Sequence, residues 1–193
     1  MKILCTCFLL LAVLTACHTN TDKKTPPPKK VDTASYYPIE DFFRKQVEYV
    51  DLRNFKIQYT HTLDGKKDSA MITKEQFLQW GDLFLQRAQQ FQSKLIAFKE
   101  TVFEDLSTDS YTLNYTPVDT ARNEIQNVDV LLDNVTRTAK RVFIKGSMLL
   151  GDTLITEQYN WKAFSGFQLT RFKTMGAKYS SAEIISVNWK ETK

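Results

Sequence analysis

From Phe98 onward, apolar side chains recur at every second position in seven runs separated by turn residues. The runs are FKETVFEDL, SYTLNYT, EIQNVDVLLD, KRVFIKGSM, DTLITEQYNWKA, GFQLTRFKTM and AEIISVNWK. Breaks fall at Thr108-Asp109, Asp133-Asn134, Gly151-Asp152, Ser165-Gly166 and Gly176. Period two sends alternate side chains to opposite faces of an extended strand. Connections this short join only antiparallel neighbours, since a parallel return needs a crossover of about a dozen residues. The pattern therefore predicts a long, curved antiparallel meander. In EIQNVDVLLD, Val128, Val130 and Leu132 are expected to oppose Ile125 and Leu131, leaving both faces partly apolar. Such a sheet must be covered twice, closed into a barrel, or left with a groove.

Upstream the period changes. Ile39, Phe42, Phe43, Val47 and Val50 recur at three- and four-residue spacing behind Pro38, which predicts a short N-terminal helix with the proline in its first turn. FKIQYTHTL then alternates, with Phe55, Ile57, Tyr59, His61 and Leu63 on one face, and Asp64-Gly65 is a favoured two-residue hairpin turn into KDSAMI. Thr73 with Gln76 reads as a capping box opening one long helix, Thr73–Leu95, whose bulky stripe must lie on the sheet. Gly81 inside it costs about 1 kcal/mol relative to alanine and marks either close approach to a strand or a bend. The fold class is α+β, with the long helix on one sheet face.

The N-terminus is of another kind. Lys2 is followed by an apolar run from Ile3 to Leu14. Twelve helical residues reach about 18 Å, short of the ~30 Å hydrocarbon core, so the run suits a secretory signal rather than a membrane span. It ends in Leu14-Thr15-Ala16-Cys17, which resembles the lipobox of bacterial lipoproteins. The resemblance implies cleavage before Cys17 and acylation of its thiol and new amino terminus. Several acyl chains, each adding ~0.8 kcal/mol per buried CH₂, make a lasting anchor. The expected organisation is a signal peptide over 1–16, lipidated Cys17 with a Pro/Lys-rich tether over 17–35, and one α+β domain over 36–193. Pro26 to Pro28 favour an extended tether, and Lys23, Lys24, Lys29 and Lys30 are placed to meet anionic headgroups. His18 after the cysteine, where aspartate would retain a lipoprotein at the inner membrane in the best-known sorting scheme, points to the outer membrane, facing the periplasm.

Charge and composition restrict the function classes. The whole chain carries +4, but signal and tether hold most of the surplus, so the domain is near neutral and nucleic acid is not an expected partner. Cys5, Cys7 and Cys17 are the only cysteines, which leaves the domain without a disulfide, a thiol nucleophile or a thiolate metal site. His18 and His61 are the only histidines, too few for a zinc site or a supported Ser-His-Asp triad. His61 is expected as a half-buried strand residue with a satisfied hydrogen bond. Glu100 and Glu104 stand about 13 Å apart on one strand face, beyond a glycosidase pair, while Asp129 and Glu157 depend on strand register. No glycine cluster cradles a phosphate. Arg137, Lys140, Arg141 and Lys145 form the densest basic patch, with Arg141 and Lys145 sharing a face with Phe143. No metal or cofactor is expected.

The abundant rings either fill a helix-on-sheet core or line an apolar ligand cavity; Trp80, Phe84, Phe91, Tyr159, Trp161 and Phe167 are the candidates for such a wall. The expected function is a lipid-anchored, non-enzymatic binding or scaffolding module of the cell envelope, with the membrane as partner through its lipid and a protein or apolar small molecule as ligand. Signal, early helix and meander under a covering helix also resemble the half-barrel lipoprotein carriers and acceptors of the outer membrane, which would imply an acyl ligand. The chain as a whole is similar to small exported envelope lipoproteins of Gram-negative bacteria. A carboxylate-dependent hydrolase is the remaining alternative.

Overall fold

In the computed structural model, residues 36–176 and 179–191 are described, and they belong to one unit that begins at Tyr36. The lipobox, Cys17 and the tether lie outside the described residues. The element order is α1 (Ile39–Asp51), β1 (Phe55–Leu63), β2 (Lys66–Ile72), α2 (Lys74–Gln92), a 3₁₀ turn at Leu95–Ala97, then β3 (Phe98–Asp105), β4 (Ser110–Pro117), β5 (Ile125–Asp133), β6 (Ala139–Leu150), β7 (Thr153–Lys162), β8 (Gly166–Met175) and β9 (Tyr179–Glu191).

All nine strands form one antiparallel sheet in the order β2-β1-β9-β8-β7-β6-β5-β4-β3. The seven-stranded meander is thus extended by the β1–β2 hairpin, which joins it through the β1–β9 pair. The sheet is open, with β2 and β3 as its edges. At the β1–β2 turn, Asp64 (φ 49°) and Gly65 (φ 82°) both adopt the left-handed conformation that a two-residue hairpin requires.

The helices depart from the expected division of labour. They are 13 and 19 residues long, and both cover the same sheet face. Phe43 of α1 packs on Trp161 as Phe84 of α2 does, with ring centroids 5.6 and 4.9 Å apart. Gly81 makes this possible: a Cβ there would come within 2.7 Å of Val47 Cγ2. The close approach is therefore to α1 and not to a strand. Pro38 caps α1 rather than occupying its first turn, and Thr73 and Gln76 close the expected capping box. α2 stops at Gln92, short of Leu95.

Ile125 also departs from simple alternation. Ile125 pairs with Gly146 and Asn127 with Lys145, so a bulge at Gln126 inserts one residue. The shift turns Ile125 to the same side as Val128 and Val130, and all three are buried. One sheet face is thus the helix-covered one. The other, here the bare face, is predominantly polar over its central strands, with Asn114, Asn127, Asn160, Gln168 and Ser186 directed outward.

Candidate functional site

Five of the six rings expected to wall a cavity fill the core instead. Phe84, Phe91 and Trp161 are fully buried, and Tyr159 and Phe167 nearly so. Phe84 stands 5.2 Å from Tyr159, 4.9 Å from Trp161 and 4.8 Å from Phe167 between ring centroids, while Phe91 packs at 4.9 Å on Phe98. Trp189 and Phe77 complete the cluster. Rings in mutual contact leave no room for a ligand between helix and sheet, so these five are packing residues. Trp80 stands apart. It stacks on Tyr59 at 5.9 Å and borders an open groove of about 430 Å³ with Ile72, Gln76, Gln79 and Leu83, between α2 and the β1–β2 hairpin.

Next to the aromatic cluster on the helix face, charges alternate across the strands. Glu157 lies opposite Arg171, and Arg171 opposite Glu183. Arg171 donates to Glu157 Oε1 from Nε at 2.9 Å and to Glu183 Oε2 from Nη1 at 2.8 Å. Arg87 reaches down from α2 to Glu157 Oε2 at 2.5 Å, and the Tyr159 hydroxyl donates to the same oxygen at 2.9 Å. His61 Nε2 bonds Glu183 Oε1 at 3.0 Å, which meets the expectation of a half-buried, satisfied histidine.

Burial alone would raise the Glu157 carboxyl, but hydrogen bonds from Arg87, Arg171 and Tyr159 outweigh it and hold the group below the usual carboxylate value. Burial likewise raises the Tyr159 hydroxyl. A carboxylate gripped by two guanidinium groups keeps its charge at neutral pH and is a poor proton carrier. The ladder is built to join α2 to β7, β8 and β9. Arg87 and Arg171 escape a reading by motif, because nothing marks them until strand register is known.

The bare face treats charge differently. Arg141 of β6 lies directly opposite Lys162 of β7, and Lys190 of β9 directly opposite Lys56 of β1. All four are exposed, and none has an ion-pair partner among the described residues. Like charges placed directly across an antiparallel pair are destabilising. Of the basic patch read from the sequence, Lys140 pairs with Asp133 at 3.0 Å and Arg137 stacks over the Tyr111 ring at 4.0 Å. Arg141 and Lys145 stay on the bare face with Phe143. Asp129, on the same face, accepts from Asn114 at 2.6 Å and Asn127 at 2.8 Å and so is held within a network of amides.

Among the described residues, no group of three or more His, Cys, Asp or Glu is placed to hold a metal ion, and no helix is long and apolar enough to cross a membrane. No family model, curated protein or solved structure matches the chain.

Proposed function

We propose that the chain is a lipid-anchored cell-envelope protein whose domain is a non-enzymatic binding module, and that it binds through the bare face of its sheet. The observation behind this reading is the contrast between faces: one is filled by rings and self-neutralised charge, the other keeps cations and amides in water. A lipid on Cys17 would restrict the domain to a membrane surface, so that its ligand is an envelope component. Two measurements test the two halves. Fatty-acid labelling of the full chain should disappear in Cys17→Ala, and persistent labelling overturns the anchor. A photo-crosslinking residue in place of Gln58, on the bare face, should capture one envelope component in cells. The same residue in place of Glu75, on α2, should capture none. Equal capture from both positions overturns the binding face.

A second reading rests on the Trp80 groove. Here the curved sheet is a half-barrel, α2 its long covering helix, and an acyl chain lies along Trp80 and Tyr59. It requires an acyl molecule that co-purifies with the full chain and is lost in Trp80→Ala.

A further inference from the structure

At one end of the bare face, residues of β6 to β9 line an open recess of about 230 Å³. Its position follows from register. Arg141 faces Lys162, Lys162 faces Gly166, and Gly166 faces Asn188. One row further along, Asn160 faces Gln168 and Gln168 faces Ser186. The first row stays low at Gly166, where the place of a Cβ is already taken by Asn188 Oδ1 and the Val187 carbonyl, each 2.5 Å from it. No side chain fits there. Two cations therefore stand at one side of an open, shallow depression, with neutral amides and a hydroxyl along the rest of it.

We propose that this recess binds an anionic saccharide, a sugar unit that carries a phosphate or carboxylate group. The inference rests on the bare face being the binding face. An oxyanion between the Arg141 guanidinium and the Lys162 ammonium receives charge-assisted hydrogen bonds from both and removes the repulsion between them. Among the described residues, neither cation has a protein anion to do this. Asn160, Gln168, Ser186 and Asn188 offer the mixed donors and acceptors that sugar hydroxyls need. The volume lies below the ~300–1,000 Å³ of drug-sized ligand pockets, which suits one sugar ring. The Lys56–Lys190 pair, on β1 and β9 of the same face, adds positive potential along the approach.

The test is calorimetric titration of the full chain in neutral detergent micelles at low salt, with glucose 6-phosphate, glucuronate, glucose and inorganic phosphate as probes. One or both of the anionic sugars should bind at least tenfold more tightly than glucose and than inorganic phosphate. The tighter of the two tells whether a phosphate or a carboxylate is the natural group. Arg141→Gln and Lys162→Gln should each weaken binding at least tenfold without lowering the melting temperature, since both side chains are exposed and repel each other. Asn160→Ala should weaken binding of the anionic sugars and leave that of phosphate unchanged. Lys145→Gln, on the same face but outside the recess, should leave affinity within twofold. Glucose binding as tightly as the anionic sugars, or full affinity in Arg141→Gln, overturns the proposal. Phosphate binding as tightly as glucose 6-phosphate, or no binding by any probe, does so too. In the last case, specific crosslinks from Gln58 would preserve the binding face and discard only this ligand class.

Discussion

The sheet presents charge on both of its sides, in the same directly opposed geometry, with opposite outcomes. On the helix face Glu157, Arg171 and Glu183 alternate in sign, are at least partly buried, and are closed by Arg87 from above. On the bare face Arg141 and Lys162 repeat one sign, as do Lys190 and Lys56, and all are in water. A buried ion must bring its counter-ion with it, because the desolvation penalty is several kcal/mol per ion. An exposed ion can leave the counter-ion to solvent or to a ligand. The first arrangement is therefore complete within the chain, and the second is incomplete without something from outside.

The sharpest way to break this contrast is Glu157→Ala, which removes the anion that Arg87 and Arg171 share and leaves Arg171 with Glu183 and Arg87 with Glu124 at 3.7 Å. A loss of about 1.5–3 kcal/mol in urea unfolding is expected, since each guanidinium loses a charge-assisted hydrogen bond but keeps a second carboxylate. A small loss would mean that the ladder is not what joins α2 to the sheet. Acid should probe the same residue without mutation. Its folded carboxyl lies below the ordinary value of 4.5, so the unfolded chain takes up the proton first. The contribution of Glu157 is thus fully present above that value and lost as pH falls through the folded one. Thermal unfolding followed from pH 6 downward should show less destabilisation in Glu157→Gln than in the parent.

The bare face should answer more weakly and with the other sign. Lys162→Glu turns a like pair into an opposite one, and a gain of about 0.2–1 kcal/mol is expected at low salt. A loss would show that the two cations are not in repulsion. Smallest of all is the effect of salt on the parent chain. The Debye length shrinks to about 8 Å at 0.15 M, so screening should relieve the exposed pairs by a few tenths of a kcal/mol and leave the buried ladder almost unchanged. In Lys162→Glu this salt response should shrink, because only the Lys56–Lys190 pair still repels.

Both rows of charge are consequences of register, which stayed unread in the sequence although the tight turns fix it. Gly151-Asp152 is a two-residue loop that sets Leu150 opposite Thr153, and counting back nine positions on each strand reaches Arg141 and Lys162. Asp64-Gly65 does the same for β1 and β2. The strand sequence, the capping box at Thr73 and the two helical stripes follow from spacing alone. Three things do not. The bulge at Gln126 breaks alternation at a point where no glycine or proline marks it, and so Ile125 is placed on the wrong face. Pairing of β1 with β9 joins segments linked by no turn, which hides the pairing that brings His61 to Glu183. The third is the fate of the rings: an aromatic stripe has the same spacing whether it lines a cavity or fills a core, and only the approach of both helices at Gly81 closes the space.

The union of β1 with β9 also bears on how such a chain reaches its native state. His61 lies beside Ile185 and Phe55 beside Glu191, so the opening hairpin cannot be seated until the final strand has emerged. Contacts that distant in sequence are made late and slowly, after a long loop has been closed. If the chain is exported as proposed, it would gain from this delay, since premature collapse would block its passage through a translocation pore. The stitch between first and last strand works as a timer as much as a seam.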